Sequence, residues 1–176
     1  AAKAQRIQKF AFSLADFSFP RLRLTEAAAA ELLSVNFEMA NYEFVDFKTP
    51  PQEGWSFVQE AVCLGKATGQ AQKGLERGKL IGEAVNAARS LANSPAGDMT
   101  PALLAEAAQK AARGTKVKVQ VLGPQEMEKL GMGGVLGVAR GSSAEPRFII
   151  LEYKGGRQGE KPFVPVGKGV SFDSGG

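Results

Sequence analysis

The sequence predicts an α/β fold, and three observations carry that prediction. From residue 94 onward the segments read helix, strand, helix, strand, strand, strand, an order that suggests helices packed on a mostly covered sheet. Residues 69–92 form the longest helix-like run and stand between that region and a separate N-terminal part. At 176 residues and 44% hydrophobic, the chain can bury a core.

Taken in order, KFAFSLADFSF (9–19) partly alternates apolar and polar residues and predicts a strand region closed by Pro20. Thr25 is placed as an N-cap for a helix over 26–40, where Ala, Glu and Leu favour the helical state. The following loop breaks at Pro50-Pro51, and SFVQEAVCL (56–64) predicts a strand. In the segment 69–92, Leu80/Ile81, Ala84/Val85, Ala88 and Leu91/Ala92 recur at three- and four-residue steps and make one apolar face. Gly74, Gly78 and Gly82 line up on a helix at i, i+4 and i+8. Each costs ~1 kcal/mol against Ala, so the row predicts another backbone lying close; a ligand groove is the alternative.

NSPAGDMTP (93–101) is a loop that ends with Thr100 as N-cap and Pro101 at the first helical position. ALLAEAAQKAARG predicts a helix stopped by Gly114, VKVQVLG a strand, and PQEMEKLGM a short helix. GGVLGVARGS is read as a strand or tight loop, RFIILEY (147–153) as a buried strand, and FVPVGKGVSF as a last strand interrupted at Pro165.

Charge and composition exclude several functions. Net charge is +4, and the excess is local: Lys3, Arg6, Lys9, Arg21 and Arg23 face only Asp16 within residues 1–23. Such a stretch is a solvated surface or a phosphate-binding one. The single Cys63 cannot form an internal disulfide, which fits a reducing compartment. No apolar run approaches the ~18–20 residues of a membrane span, and the first residues lack a secretory signal pattern. The expected location is cytoplasmic. With no histidine in the sequence, Ser-His-Asp and Cys-His nucleophile pairs and imidazole-based zinc sites are excluded within this chain.

Several motifs fail on inspection. Gly167-Lys168-Gly169 lacks the Walker pattern, because position 162 is Pro and 169 is Gly. GMGGVLG (131–137) misses the dinucleotide fingerprint at Leu136. Neither Ser171 nor Ser174 sits in a nucleophile elbow. What remains is Lys168 and Asp173 in VGKGVSFDSGG. Val166, Val170 and Phe172 place this stretch in a core, where a lysine is rarely found unpaired. Five positions apart, the two side chains would leave opposite faces of an ideal strand. Glycines at 167, 169, 175 and 176 permit a bend that lets them converge, either as a structural ion pair or as part of a polar site.

VGKGVSFDSGG closely resembles the signature of the leucyl aminopeptidase (cytosol aminopeptidase) family. LANSPAGDMTPALLAEAA and EKLGMGGVLGVARGSSAEPRFIILEY resemble two further blocks of that family, in the same order. The likeness covers about residues 25–176 and is strongest after 85. Ser171 stands for the family's usual Thr, and Pro165 for an aliphatic strand residue, where it removes an N–H just before Lys168.

The resemblance implies a partial macro-like N-terminal domain over 1–65 and a bridging helix over 66–93. Residues 94–176 would form the N-terminal part of an α/β catalytic domain with a mixed sheet. It implies release of N-terminal residues, leucine-type by preference, from peptides by water activated at two divalent ions. Zinc, manganese and magnesium all suit the ligand types. Asp173 would bind through its carboxylate and Lys168 through its neutral amine. The family's second catalytic lysine and remaining metal-binding Asp and Glu lie beyond this motif and are not among the 176 residues. No catalytic residue is therefore expected in this stretch, and alone it is expected to be inactive. A homohexamer is the implied assembly. The rival expectations are a DNA-binding accessory protein, supported by the basic start, and a structural relative that has lost the chemistry.

Overall fold

The computed structural model describes residues 2–17, 20–65, 68–157 and 159–170. The chain divides into two units, Ala1–Asn93 and Ser94–Gly176.

In the first unit, Lys9–Ser13 (β1) and Glu60–Leu64 (β2) pair in parallel, with Lys9 opposite Glu60 and Phe12 opposite Cys63. A parallel pair requires a crossover, and the helix Glu26–Asn41 (α1) supplies it. Between β1 and α1 lie two 3₁₀ turns, Leu14–Phe17 and Pro20–Leu22, so the strand predicted over 9–19 is shorter than its apolar pattern suggested. Thr25 caps α1 as expected: its hydroxyl accepts from the Ala28 N–H at 3.2 Å. β1 turns Phe10 and Phe12 toward α1, where Phe37 meets both rings edge-on at 5.2 and 5.1 Å. That aromatic cluster, with Phe12 buried, is the core of the unit.

The helix Gly69–Asn93 (α2) runs alongside α1 in the same direction. Its glycines explain how. A Cβ at Gly74 would collide with the Ala27 carbonyl oxygen, one at Gly78 with the Glu31 carbonyl oxygen, and one at Gly82 with the Glu38 side chain. Gly74, Gly78 and Gly82 are all buried. The close-backbone expectation is met, and the glycines leave no groove. Polar bonds hold the register: Ser34 Oγ donates to Leu75 O at 2.9 Å, and Asn86 Nδ2 donates to Glu38 O at 2.9 Å.

In the second unit, Pro101–Ala112 (α3) begins where expected. The Thr100 hydroxyl accepts from the Leu103 N–H, and Pro101 sits at the first position. Ala105 is buried on its inner face. Lys118–Leu122 (β3) pairs antiparallel with Phe148–Glu152 (β4), Gln120 opposite Ile150. Between them come Pro124–Lys129 (α4) and Gly133–Ala139 (α5). The Glu126 carboxylate accepts from the Gly123 N–H to start α4. Gly131, at φ +66°, ends it: the Met132 N–H reaches Met127 O and the Gly131 N–H reaches Glu128 O. This is a Schellman stop.

Three expectations for this unit are corrected. GGVLGVA is a helix, not a strand or loop, because the Schellman turn feeds the chain directly into a new helical turn. β4 is present but not buried: Leu151 is 58% exposed. The last strand, FVPVGKGVSF, does not form within the described residues. Positions 161–170 carry no regular structure and are exposed throughout, Phe163 and Val166 both to 92%. A strand needs a neighbour for its N–H and C=O groups, and no described strand pairs with this segment. Pro165 removes one donor in addition.

Candidate metal centre

Of the two residues singled out from the sequence, Lys168 lies in the exposed segment and Asp173 lies outside the described residues. The expectation that Lys168 sits in a buried strand is therefore corrected: its side chain is exposed. Among the described residues no hydrogen bond or ion pair is seen to it. The segment comes near Leu104 of α3 at the neighbouring glycine. A Cβ built at Gly169 would stand 3.2 Å from Leu104 Cδ2 of α3, whereas one at Gly167 would meet nothing within 4 Å. Sequence reasoning missed Leu104, and no local signal could have found it, since the contact spans most of the unit.

Among the described residues, no group of three or more His, Cys, Asp or Glu side chains is placed to hold a metal ion. The two residues that the family resemblance singles out, Lys168 and Asp173, would offer one amine and one carboxylate. Nitrogen and oxygen donors suit zinc, manganese or magnesium, but two donors do not fill the coordination of a pair of ions. The fit is that of a partial ligand set.

The first unit has a depression of about 300 Å³ over Phe10 and Phe37, rimmed by Lys3, Asn41 and Glu60. Its polar rim is already engaged. Lys3 Nζ bonds Glu43 at 2.7 Å, Glu60 pairs with Lys9 at 2.8 Å, and the Asn41 amide bridges both backbone groups of Val58. The hydrogen bond from Lys3 holds the Glu43 carboxyl below its ordinary 4.5, with the charges of Lys3 and Lys48 adding to it. The basic start is engaged in the same way: Lys3, Arg6 and Lys9 face Glu43, Glu53 and Glu60. These are three of the five cations on which a phosphate-binding reading depends.

The family model described as the cytosol aminopeptidase family, catalytic domain, matches residues 86–176. The chain belongs to the cytosol aminopeptidase family. A protein of Nostoc punctiforme described as "Probable cytosol aminopeptidase" is 38% identical over 176 residues, covering all of this chain and 35% of that protein. A protein of Aromatoleum aromaticum with the same description is 48% identical over 109 residues, 62% of this chain and 22% of that one. The chain spans about a third of the length of the curated relatives it matches in full. Among solved structures, a mutant of tomato leucine aminopeptidase matches with a TM-score of 0.73 and 27% identity, over 85% of this chain and 30% of that one. The bottromycin maturation enzyme BotP in complex with Mn has the same fold, with a TM-score of 0.70 and 24% identity over 84% of this chain and 30% of that one. An α/β fold of the leucine aminopeptidase type is thereby established. No helix among the described residues is long and apolar enough to cross a membrane.

Proposed function

We propose that this chain supplies part of the metal centre of a cytoplasmic aminopeptidase that releases N-terminal residues, leucine among them, from peptides. The observation that carries the reading is the family match over 86–176, which includes both Lys168 and Asp173. Two divalent ions bound in such a centre supply a polarised carbonyl and an activated water, and receive the substrate's free α-amine. Lys168 would hold one ion through its side-chain nitrogen, and Asp173 would hold the ions through its carboxylate.

Two donors are too few for turnover, so residues 1–176 alone are inactive and bind metal weakly. The full-length protein assembles as a hexamer. Hydrolysis of leucine p-nitroanilide by the full-length protein, with and without Lys168→Ala, tests the reading. The expected loss exceeds the about 100-fold that an outer-shell metal partner costs. Unchanged hydrolysis and metal content in Lys168→Ala, or brisk turnover by the 176-residue chain alone, would refute it.

A further inference from the structure

Residues 42–59 join α1 to β2 without a helix or strand of their own, and one turn in them is at odds with its sequence. The Lys48 N–H donates to Val45 O at 3.2 Å, closing a four-residue turn with Phe47 in third place. Phe47 has φ +64° there, a conformation that favours glycine at that position and is costly for a bulky residue. Burial does not offset the cost: Phe47 is 71% exposed, with the Phe44 ring tilted beside it at 6.3 Å. The stretch is nonetheless well fastened. The Asn41 amide bonds both backbone groups of Val58 at 2.7 and 2.8 Å, and Arg6 donates to Glu53 O at 2.6 Å. Among the described residues, nothing in the fold of one copy calls for a phenylalanine at 47, and strain of this kind gathers where contact or chemistry occurs. We propose that Phe47 is an anchor by which one copy of this chain grips another, its ring entering the depression over Phe10 and Phe37 of the second copy. The proposal rests on the reading that copies of the protein assemble, and not on the metal centre.

A second copy fits this surface in shape and in charge. The depression, about 300 Å³, has room for one aromatic ring, and Val58 and Ala61 line it beside the two phenylalanines. Phe10 and Phe37 are each half-buried, so part of each ring is left for a third to meet edge-on. Asp46 and Lys48 flank the Phe47 ring, while Lys3 and Glu60 stand on the rim of the depression. Anchor and socket thus bring one acid and one base each, and a reciprocal approach sets unlike charges together. Asp46 has no ion pair among the described residues. Glu43 joins the two halves into one surface, bonding Lys3 of the rim at 2.7 Å and Lys48 of the turn at 3.6 Å. An anchor and its socket on one surface make the self-complementary patch that a two-fold pair of identical subunits requires. Aromatic side chains are enriched at the centre of such contacts.

The test is a dilution series of the full-length protein followed by sedimentation velocity. Phe47→Gly should fall into smaller assemblies at about thirtyfold higher concentration than the wild type, the loss expected of a buried anchor. Ala61→Arg, which blocks the socket and keeps the anchor, should shift dissociation in the same direction. Measured where the copies are apart, the urea midpoint of Phe47→Gly should be no lower than that of the wild type, because glycine accepts the left-handed turn. A side chain that only packed within its own copy would give a lower midpoint and unchanged dissociation, and that result overturns the proposal. Unchanged dissociation in either variant overturns it as well. Should Phe47→Gly fail to fold, Phe47→Asn takes its place, since asparagine also tolerates left-handed φ. The same series separates the two readings. If the wild type is a single copy at every concentration, the assembly reading falls and this contact with it. If the wild type is assembled and the variants dissociate no sooner, only the contact falls.

Discussion

The glycines of α2 and those beside Lys168 are the same residue put to opposite uses. Gly74, Gly78 and Gly82 are buried, and a methyl on any of them would strike α1. They let two helices run backbone to backbone, and their contribution is to stability. Gly167 and Gly169 lie in an exposed segment without regular structure. Only one of them meets a neighbour, and that neighbour is a flexible side-chain end rather than a carbonyl oxygen. The sequence shows five glycines in two short rows. Only the surroundings of each tell whether it serves packing or the presentation of a functional group.

The sharpest way to break this comparison is to add one methyl in each region. Gly78→Ala gains ~1 kcal/mol of helix propensity, but its methyl meets the Glu31 carbonyl and Ser34 Cβ, neither of which can rotate away. Overpacking of that kind costs about 1–3 kcal/mol. With backbone as the obstacle the upper end applies, so urea unfolding should show a net loss of about 2 kcal/mol. Gly167→Ala, facing open space, should leave the midpoint of the same chain where it was. Equal effects at the two positions would mean that the close approach of α1 and α2 is not what the glycines are for.

A smaller effect tests whether the α1–α2 pair is fastened at its far end as well. Arg89 stacks on the Tyr42 ring at 4.2 Å and donates to Met39 O at 3.1 Å, while Tyr42 Oη lies 3.1 Å from Ser90 Oγ. Arg89→Ala removes the cation–π contact and the charged hydrogen bonds to Met39 O and Asn86 Oδ1 at a half-exposed site, about 1–2 kcal/mol in sum. The urea midpoint reports it, and Arg89→Lys should restore only part, because an ammonium cannot stack its plane on the ring.

The smallest effect concerns pH. Glu43 is held below its ordinary 4.5 chiefly by the hydrogen bond from Lys3. A carboxyl depressed in the folded state stabilises fully above its unfolded pKa. That contribution disappears as pH falls through the lower, folded value. Glu43→Gln should therefore narrow its stability deficit against the wild type as pH drops below about 4.5. Both side chains are partly exposed, so salt should shrink the difference. A deficit that grew on acidification would contradict the assignment.

What the sequence disclosed divides along the same line as the glycines. Thr25, Thr100 and Pro101 were readable as helix starts because a cap is a local hydrogen bond between residues three apart. The Gly74–Gly78–Gly82 row was readable because its spacing is the helix period itself. GGVLGVA reads as a strand or tight loop, while the Schellman turn at Gly131, which sets up the helix, depends on how α4 ends. The exposure of β4 and the missing strand at 161–170 were not legible either. Apolar alternation states what a segment could bury, not whether a partner strand is there to bury it. For the proposed metal centre, residues 168 and 173 come from the resemblance of the signature alone, whereas Leu104's approach to Gly169 is a long-range fact that no spacing records.

The measurement that bears most directly on the central claim is the metal content of the full-length protein after dialysis against Mn²⁺ or Zn²⁺. It compares the wild type with Lys168→Ala and Asp173→Asn, each checked for a native unfolding profile. Loss of bound ion in both folded variants is the predicted result. Wild-type metal content in either of them would contradict the account.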